Sequence, residues 1–144
     1  MQPKDYESII SRILLEDPRY PAEAYDFLRE IMAFTSQSLK KPTHGPGRHM
    51  SGKELLEGMR RYAVQEFGPM ARTVLASMGI TRTEDIGELV FILVHYGVLG
   101  KTEEDRKSDF ANGYDFREAF DTPFLPLSRR QAHPAQTQSP SQSL

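Results

Sequence analysis

Ser51-Gly52-Lys53-Glu54-Leu55-Leu56, Thr81-Arg82-Thr83-Glu84 and Thr102-Glu103-Glu104-Asp105 decide the fold class of this chain. Each places a hydroxyl three residues ahead of a carboxylate. In that spacing the hydroxyl accepts an otherwise free backbone N–H, and the carboxylate returns to the first residue's own N–H. Each is followed by apolar residues at helical spacing, so residues 51–121 read as a helical core. The core closes with Asp109-Phe110-Ala111-Asn112-Gly113-Tyr114-Asp115-Phe116.

Within the core, Leu55, Leu56, Met59, Tyr62 and Ala63 form the inward stripe of one helix, with Glu57 and Arg61 placed to pair outside at i, i+4. Gly68-Pro69 breaks the chain and opens the next helix, whose stripe is Met70, Val74, Leu75 and Met78, and Gly79 is placed as its C-terminal cap. Leu89-Val90-Phe91-Ile92-Leu93-Val94 is apolar on every side. A buried strand competes for that run, but the hydroxyls at Thr81 and Thr83 before it and Gly97-Val98 after it favour a helix. A helix apolar all round is expected at the centre of a bundle. Beyond Gly100 the pattern loosens. Residues 101–116 fit a short helix from Thr102 or a minor β-hairpin, and Tyr114, Phe116, Ala119 and Phe120 suit one last short helix.

Upstream, Tyr6, Ile9, Ile10, Ile13 and Leu14 mark a first helix that Asp17-Pro18 stops. Ala24, Phe27, Leu28, Ile31 and Phe34 mark a second. Residues 1–40 therefore read as a helical hairpin, packed with residues 51–121 as one domain. Residues 41–50, with two Gly and two Pro, read as a linker. Residues 122–144 are rich in Pro, Ser and Gln and are expected to be a disordered tail. The expected fold is all-α: about five helices in a compact bundle, plus a short C-terminal helix.

Composition narrows the function classes. The chain has 144 residues and no Cys, which removes disulfides, thiolate metal sites and thiol nucleophiles. Its start has no basic segment followed by an apolar one, and its longest apolar run is far shorter than the roughly 20 residues that span a bilayer. A cytoplasmic location without membrane contact follows as the expectation. Residues 51–121 carry nine Lys and Arg against thirteen Asp and Glu. The best-specified part is thus acidic, which makes nucleic acid an unlikely partner.

No chemical constellation stands out. His44, His49, His95 and His133 have no ligand spacing, so no metal is expected. Glu103, Glu104, Asp105 and Asp109 cluster beside Arg106 and Lys107, as on a solvated, locally paired surface; paired catalytic carboxylates need contrasting environments. Ser51 has no nucleophile elbow, and Gly45-Pro46-Gly47 lacks the Lys-Ser/Thr pair of a phosphate loop. The pattern implies no catalytic residue and no cofactor. Residues 70–96 match a helix-turn-helix in length, with Val98 to Lys101 as the opening of a wing, yet residues 85–96 hold no Lys or Arg to read bases. Asp109-Phe110 and Asp115-Phe116 read as aromatic anchors with capping aspartates. Phe124, Leu125 and Leu127, in a proline-rich stretch, are the candidate docking segment.

Tyr20-Pro21-x-Glu23-Ala24-Tyr25-x-Phe27, His49-Met50-Ser51-Gly52-x-Glu54-Leu55-Leu56, Phe67-Gly68-Pro69-Met70-Ala71, Asp85-Ile86-Gly87-Glu88-x-Val90-Phe91 and Asp109-Phe110 together resemble an uncharacterised short-protein family associated with Planctomycetes and Verrucomicrobia. The likeness spans Tyr20 to about Phe120. Met78 departs from it, standing where that pattern has Trp before Gly79. The resemblance implies no activity, cofactor or catalytic residue. The functional expectation is a small cytoplasmic adaptor or regulatory protein acting through contacts with a protein partner. The alternatives are a winged-helix-like DNA-binding regulator and an enzyme of unrecognised type.

Overall fold

The computed structural model describes residues 3–39, 50–100 and 106–130, with side chains for 6–39, 50–100 and 106–128. Among these residues the chain is all-α: α1 (Pro3–Glu16), α2 (Ala22–Leu39), α3 (Gly52–Phe67), α4 (Ala71–Ser77), α5 (Thr83–His95) and a single-turn α6 (Leu127–Arg130). Short 3₁₀ and π turns fill residues 68–70, 107–110 and 117–124.

The apolar stripes become one continuous core. Tyr6, Ile10 and Ile13 of α1 meet Ala24, Tyr25, Phe27, Leu28 and Ile31 of α2, and Leu55, Leu56, Met59 and Ala63 of α3 continue the same cluster. Helices α2 and α3 share the most extensive helix–helix contact. A glycine makes it possible: a Cβ on Gly58 would sit 1.7 Å from the Thr35 hydroxyl oxygen. Thr35 is buried and turns that hydroxyl back onto its own helix, donating to the Ile31 carbonyl at 2.6 Å. Beside this contact Phe27, Phe34, Tyr62 and Phe67 pack as tilted and edge-on rings, with centroids 5.4–6.5 Å apart.

The helix ends show how the sequence is read locally. Ser51 forms the full reciprocal cap: its Oγ accepts the Glu54 N–H at 3.0 Å, and Glu54 accepts the Ser51 N–H at 2.9 Å. Helices α4 and α5 both end in a Schellman turn. Gly79 (φ 80°) and Gly97 (φ 82°) take the left-handed residue that an L side chain resists. The paired bonds are Ile80 N–H to Leu75 C=O with Gly79 N–H to Ala76 C=O, and Val98 N–H to Leu93 C=O with Gly97 N–H to Val94 C=O.

Several expectations are corrected. The cap of α5 is not a Thr81–Glu84 box. Asp85 takes that role, accepting the N–H groups of Thr81 at 2.9 Å and Arg82 at 3.2 Å. Its other oxygen accepts the Tyr20 hydroxyl at 2.5 Å, which ties α5 to the turn before α2. Glu57 pairs with Arg60 rather than Arg61, whose guanidinium lies over Phe34 instead. Gly68-Pro69 does not open α4 directly: a 3₁₀ turn over Gly68–Met70 intervenes, and Met70 is left exposed.

No strand occurs among the described residues, so the minor β-hairpin after Gly100 is replaced, from Lys107 onward, by a 3₁₀ turn ending at Phe110. The Thr102–Asp105 signal and the linker from Lys41 to His49 lie outside the described residues. The expected tail is ordered at its start. Thr122–Phe124 form a 3₁₀ turn and Leu127–Arg130 a helical turn, and residues 131–144 lie outside the described part.

Helix α5 carries the correction with functional weight. Leu89, Ile92 and Leu93 are buried, as expected of a central helix. Val90, Phe91 and Val94 are only half-buried, so one side of the apolar run Leu89–Val94 faces outward.

Candidate functional site

Two apolar surfaces stand out, one built at the N-terminal end of α3 and one by the residues that follow Asp121. The first is a groove. Val90, Phe91 and Val94 of α5 form one wall, Met32 of α2 and Leu55 of α3 the other, with Met50, Leu99 and Phe110 closing it. Its volume is about 120 Å³. The floor exists because two glycines make room for Phe110. A Cβ on Gly87 would stand 2.9 Å from the Phe110 ring, and one on Gly52 would stand 3.1 Å from it. Asp109 accepts the Arg106 N–H at 3.2 Å, and Thr83 donates its hydroxyl to the Phe110 carbonyl at 2.6 Å while accepting the Gly113 N–H at 3.0 Å. Met and Phe side chains suit such a wall, since a flexible thioether adapts to the shape of what docks.

The second surface is the candidate docking segment. Phe116 and Phe120 are buried and stack edge-on at 4.9 Å, and Asp115 caps the turn by accepting the Glu118 N–H at 3.1 Å. Asp121 then pairs with Arg72 at the start of α4, at 2.9 Å. After this anchor the chain turns outward. Phe124 is 41 % and Leu127 71 % exposed, while Leu125 is half-buried and holds φ −84°, ψ 152°. Those angles are polyproline II, the conformation that flanking prolines favour and that grooves lined with apolar side chains bind. Met70, 56 % exposed, belongs to the turn packed on residues 117–121. The structure therefore brings Phe124 and Leu127 onto one outward segment and turns Leu125 partly inward.

The titratable groups serve the fold. Glu88 takes hydrogen bonds from Lys107 at 3.2 Å and Arg19 at 3.1 Å, which hold its carboxyl below the usual carboxylate range, the Lys107 bond first. Glu84 accepts the Asn112 N–H at 3.0 Å, and that bond lowers its pKa likewise. Burial pushes the Tyr25 hydroxyl up to about 12. Burial also raises Tyr114, which donates to the Leu56 carbonyl at 2.5 Å. Tyr20 is raised by burial and then by the Asp85 carboxylate it donates to. Each hydrogen bond here joins one segment of the chain to another.

His95 ends α5, exposed and edge-on to Tyr96 at 5.2 Å, while His44, His49 and His133 lie outside the described residues. Glu103, Glu104 and Asp105 also lie outside them. Among the described residues no group of three or more His, Cys, Asp or Glu stands together as a metal cage requires. No helix among them is long and apolar enough to cross a membrane.

The α5 side chains that are not fully buried are Glu84, Glu88, Val90, Phe91, Val94 and His95, two carboxylates, an apolar strip and the terminal imidazole. The groove was not among the sites expected from sequence. Its signal was present all the same: a six-residue run apolar on every side has more apolar surface than a small bundle covers.

No protein-family model, no curated protein and no solved structure matches this chain.

Proposed function

We propose that the protein is a small cytoplasmic adaptor or regulator that acts through protein–protein contacts, with Phe124, Leu125 and Leu127 as its docking segment. The observation that carries this reading is an exposed Phe and Leu held on a pre-shaped, well-anchored stretch of chain. A segment already folded into short turns on either side of an extended Leu125 loses less conformational freedom on binding than a free chain, so its few apolar side chains convert more efficiently into affinity. The groove at the N-terminal end of α3 gives the same molecule a second apolar contact surface, as an adaptor requires. The likeness to the short-protein family belongs to this proposal and adds no activity to it.

The test is affinity purification from the native cell with full-length wild type and with Phe124→Asp/Leu127→Asp as baits. The expected result is a protein retained by the wild type and lost with the double variant. Equal retention by both baits, or none by either, removes the docking segment from the function.

A further inference from the structure

We propose that α1 is a strap that lifts off the bundle as one unit, pivoting at Asp17-Pro18, while the other helices stay packed. The proposal goes beyond the docking-segment reading and does not depend on it.

The chain has six tyrosines, and their hydroxyls fall into two groups. Tyr20 donates to Asp85, Tyr62 to Glu30, Tyr96 to Glu16 and Tyr114 to the Leu56 carbonyl. The hydroxyls of Tyr6 and Tyr25 are buried without a hydrogen-bond partner, and among the described residues no other buried side-chain polar atom is left so. Tyr6 belongs to α1, and Tyr25, fully buried, belongs to α2. The charges that act on the Tyr25 hydroxyl include Asp17, Tyr96 and Tyr6, so α1 and the turn after it border it.

An unpaired buried hydroxyl carries the full cost of leaving water, a cost that phenylalanine in its place would not have. Lifting α1 returns both hydroxyls to water. Each therefore favours the lifted arrangement by about 5- to 150-fold.

The attachments of α1 suit a strap. Its buried side chains are Tyr6, Ile10 and Ile13; Ile9 and Leu14 are half-buried, and Leu15 is exposed. Its contact with α2 is much sparser than that of α2 with α3. Among the described residues no backbone hydrogen bond joins α1 to another helix. Its polar ties are side-chain contacts: Glu16 accepts the Tyr96 hydroxyl at 2.6 Å, Arg12 lies 5.1 Å from the Tyr96 ring centre, and Arg29 lies 4.0 Å from that of Tyr6.

The pivot, by contrast, is fixed. The Asp17 N–H closes the helix on the Ile13 carbonyl at 2.7 Å, and Pro18 has no N–H to continue it. Immediately beyond, Arg19 bonds Glu88 at 3.1 Å and Tyr20 bonds Asp85 at 2.5 Å, both on α5. These bonds hold the start of α2 whether α1 is down or lifted. Lifting uncovers Tyr25, an apolar ring with a polar tip, on a helix that keeps its place.

Residue-resolved amide hydrogen exchange of the full chain, over a series of low denaturant concentrations, tests this. Residues 9–16 are expected to share one opening equilibrium and to exchange at least about tenfold faster than the central amides of α3, which open only with the whole bundle. Tyr25→Phe is expected to slow residues 9–16 by about 5- to 150-fold, because the unpaired hydroxyl is gone. Phe120→Leu, a change at a fully buried ring outside α1, is expected to speed the α3 amides and leave residues 9–16 unchanged. Tyr6→Phe takes the place of Tyr25→Phe if circular dichroism finds the latter unfolded.

Exchange of residues 9–16 in step with α3, or a gradient that fades from the N-terminus towards Glu16 as in simple fraying, overturns the proposal. So does unchanged or faster exchange of residues 9–16 in the phenylalanine variant, or their acceleration by Phe120→Leu.

Discussion

Four phenylalanines punctuate the C-terminal third at residues 110, 116, 120 and 124, and the first three differ from the fourth. Phe110, Phe116 and Phe120 are buried, while Phe124 is 41 % exposed. Their sequence settings look alike, each beside Asp or Pro. What separates them is the seat offered by elements far away in the chain. Phe110 has the hollow left by Gly52 and Gly87; Phe116 and Phe120 have each other's rings and Tyr114. Phe124 follows the last anchor, Asp121, and the extended backbone at Leu125 carries the chain away from the bundle. An aromatic residue in this fold is structural when a remote glycine or ring receives it, and is otherwise available for contact.

The largest effect that would break this contrast is Phe120→Ala. Removing a fully buried ring costs its transfer free energy and leaves a cavity, about 3–5 kcal/mol in chemical denaturation. A loss below about 1 kcal/mol would mean that residues 116–121 are not part of the cooperative core. Next comes Gly87→Ala. Alanine favours a helix by about 1 kcal/mol, but the added methyl meets Phe110 at its Cβ and ring carbons, at 2.9–3.0 Å. These atoms cannot swing aside as a flexible chain end would, so overpacking of about 1–3 kcal/mol outweighs the helix gain. Phe110→Leu in the same chain should recover part of the loss, which a double-mutant cycle measures.

Thr83→Val tests the latch rather than the seat. Valine keeps the shape and removes both hydrogen bonds, leaving the Phe110 carbonyl and the Gly113 N–H without their partner. The expected loss is about 1–2 kcal/mol, with faster amide exchange at Gly113. Unchanged exchange there would show that residues 106–114 are held by Phe110 alone.

The sequence carried most of this fold because helix signals are local. Ser51 and Glu54 meet within one turn, and Gly79 and Gly97 end their helices through bonds to carbonyls a few residues back. Where the partner is remote, the local pattern does not show it. Thr83 looks like a cap for its own helix, yet its hydroxyl serves residues 110 and 113. Asp85, read there only as part of a family pattern, collects Thr81, Arg82 and a tyrosine 65 positions upstream. The outward placing of Phe124 and Leu127 was legible because proline and apolar residues sit together there in sequence. The groove was not, because it is assembled from Met32, Met50, Leu55, Val90 and Leu99, which no local window joins.

A smaller effect belongs to the ion cluster beside the latch. Glu88 is held below its ordinary pKa by Lys107 and then Arg19, so the folded state binds its proton less readily than the unfolded chain. The resulting stability is present above the ordinary carboxylate range and is lost as pH falls through the lowered value. Both cations are more than half exposed, so solvent screening keeps the contribution within about 0–1 kcal/mol. Glu88→Gln should therefore flatten the acid side of the stability profile slightly and leave stability near neutral pH lower by at most that amount. A steeper acid side in the variant would reverse the assigned sign.

The smallest effect is the most informative about the comparison. Phe124→Ala removes as many atoms as Phe120→Ala, but from a ring that the fold leaves partly in water. Substitution at a surface position away from caps and buried partners stays within about 0.5 kcal/mol, so thermal or chemical unfolding of dilute protein should barely move. Dilution matters, because any contact that Phe124 makes between copies stabilises the folded state by mass action and would add a concentration-dependent increment. If Phe124→Ala costs stability at all concentrations alike, the ring is a fourth core anchor and the contrast disappears. If its cost is absent when dilute and grows with concentration, the same side chain is idle in folding and active in association, the division of labour that separates Phe124 from Phe110, Phe116 and Phe120.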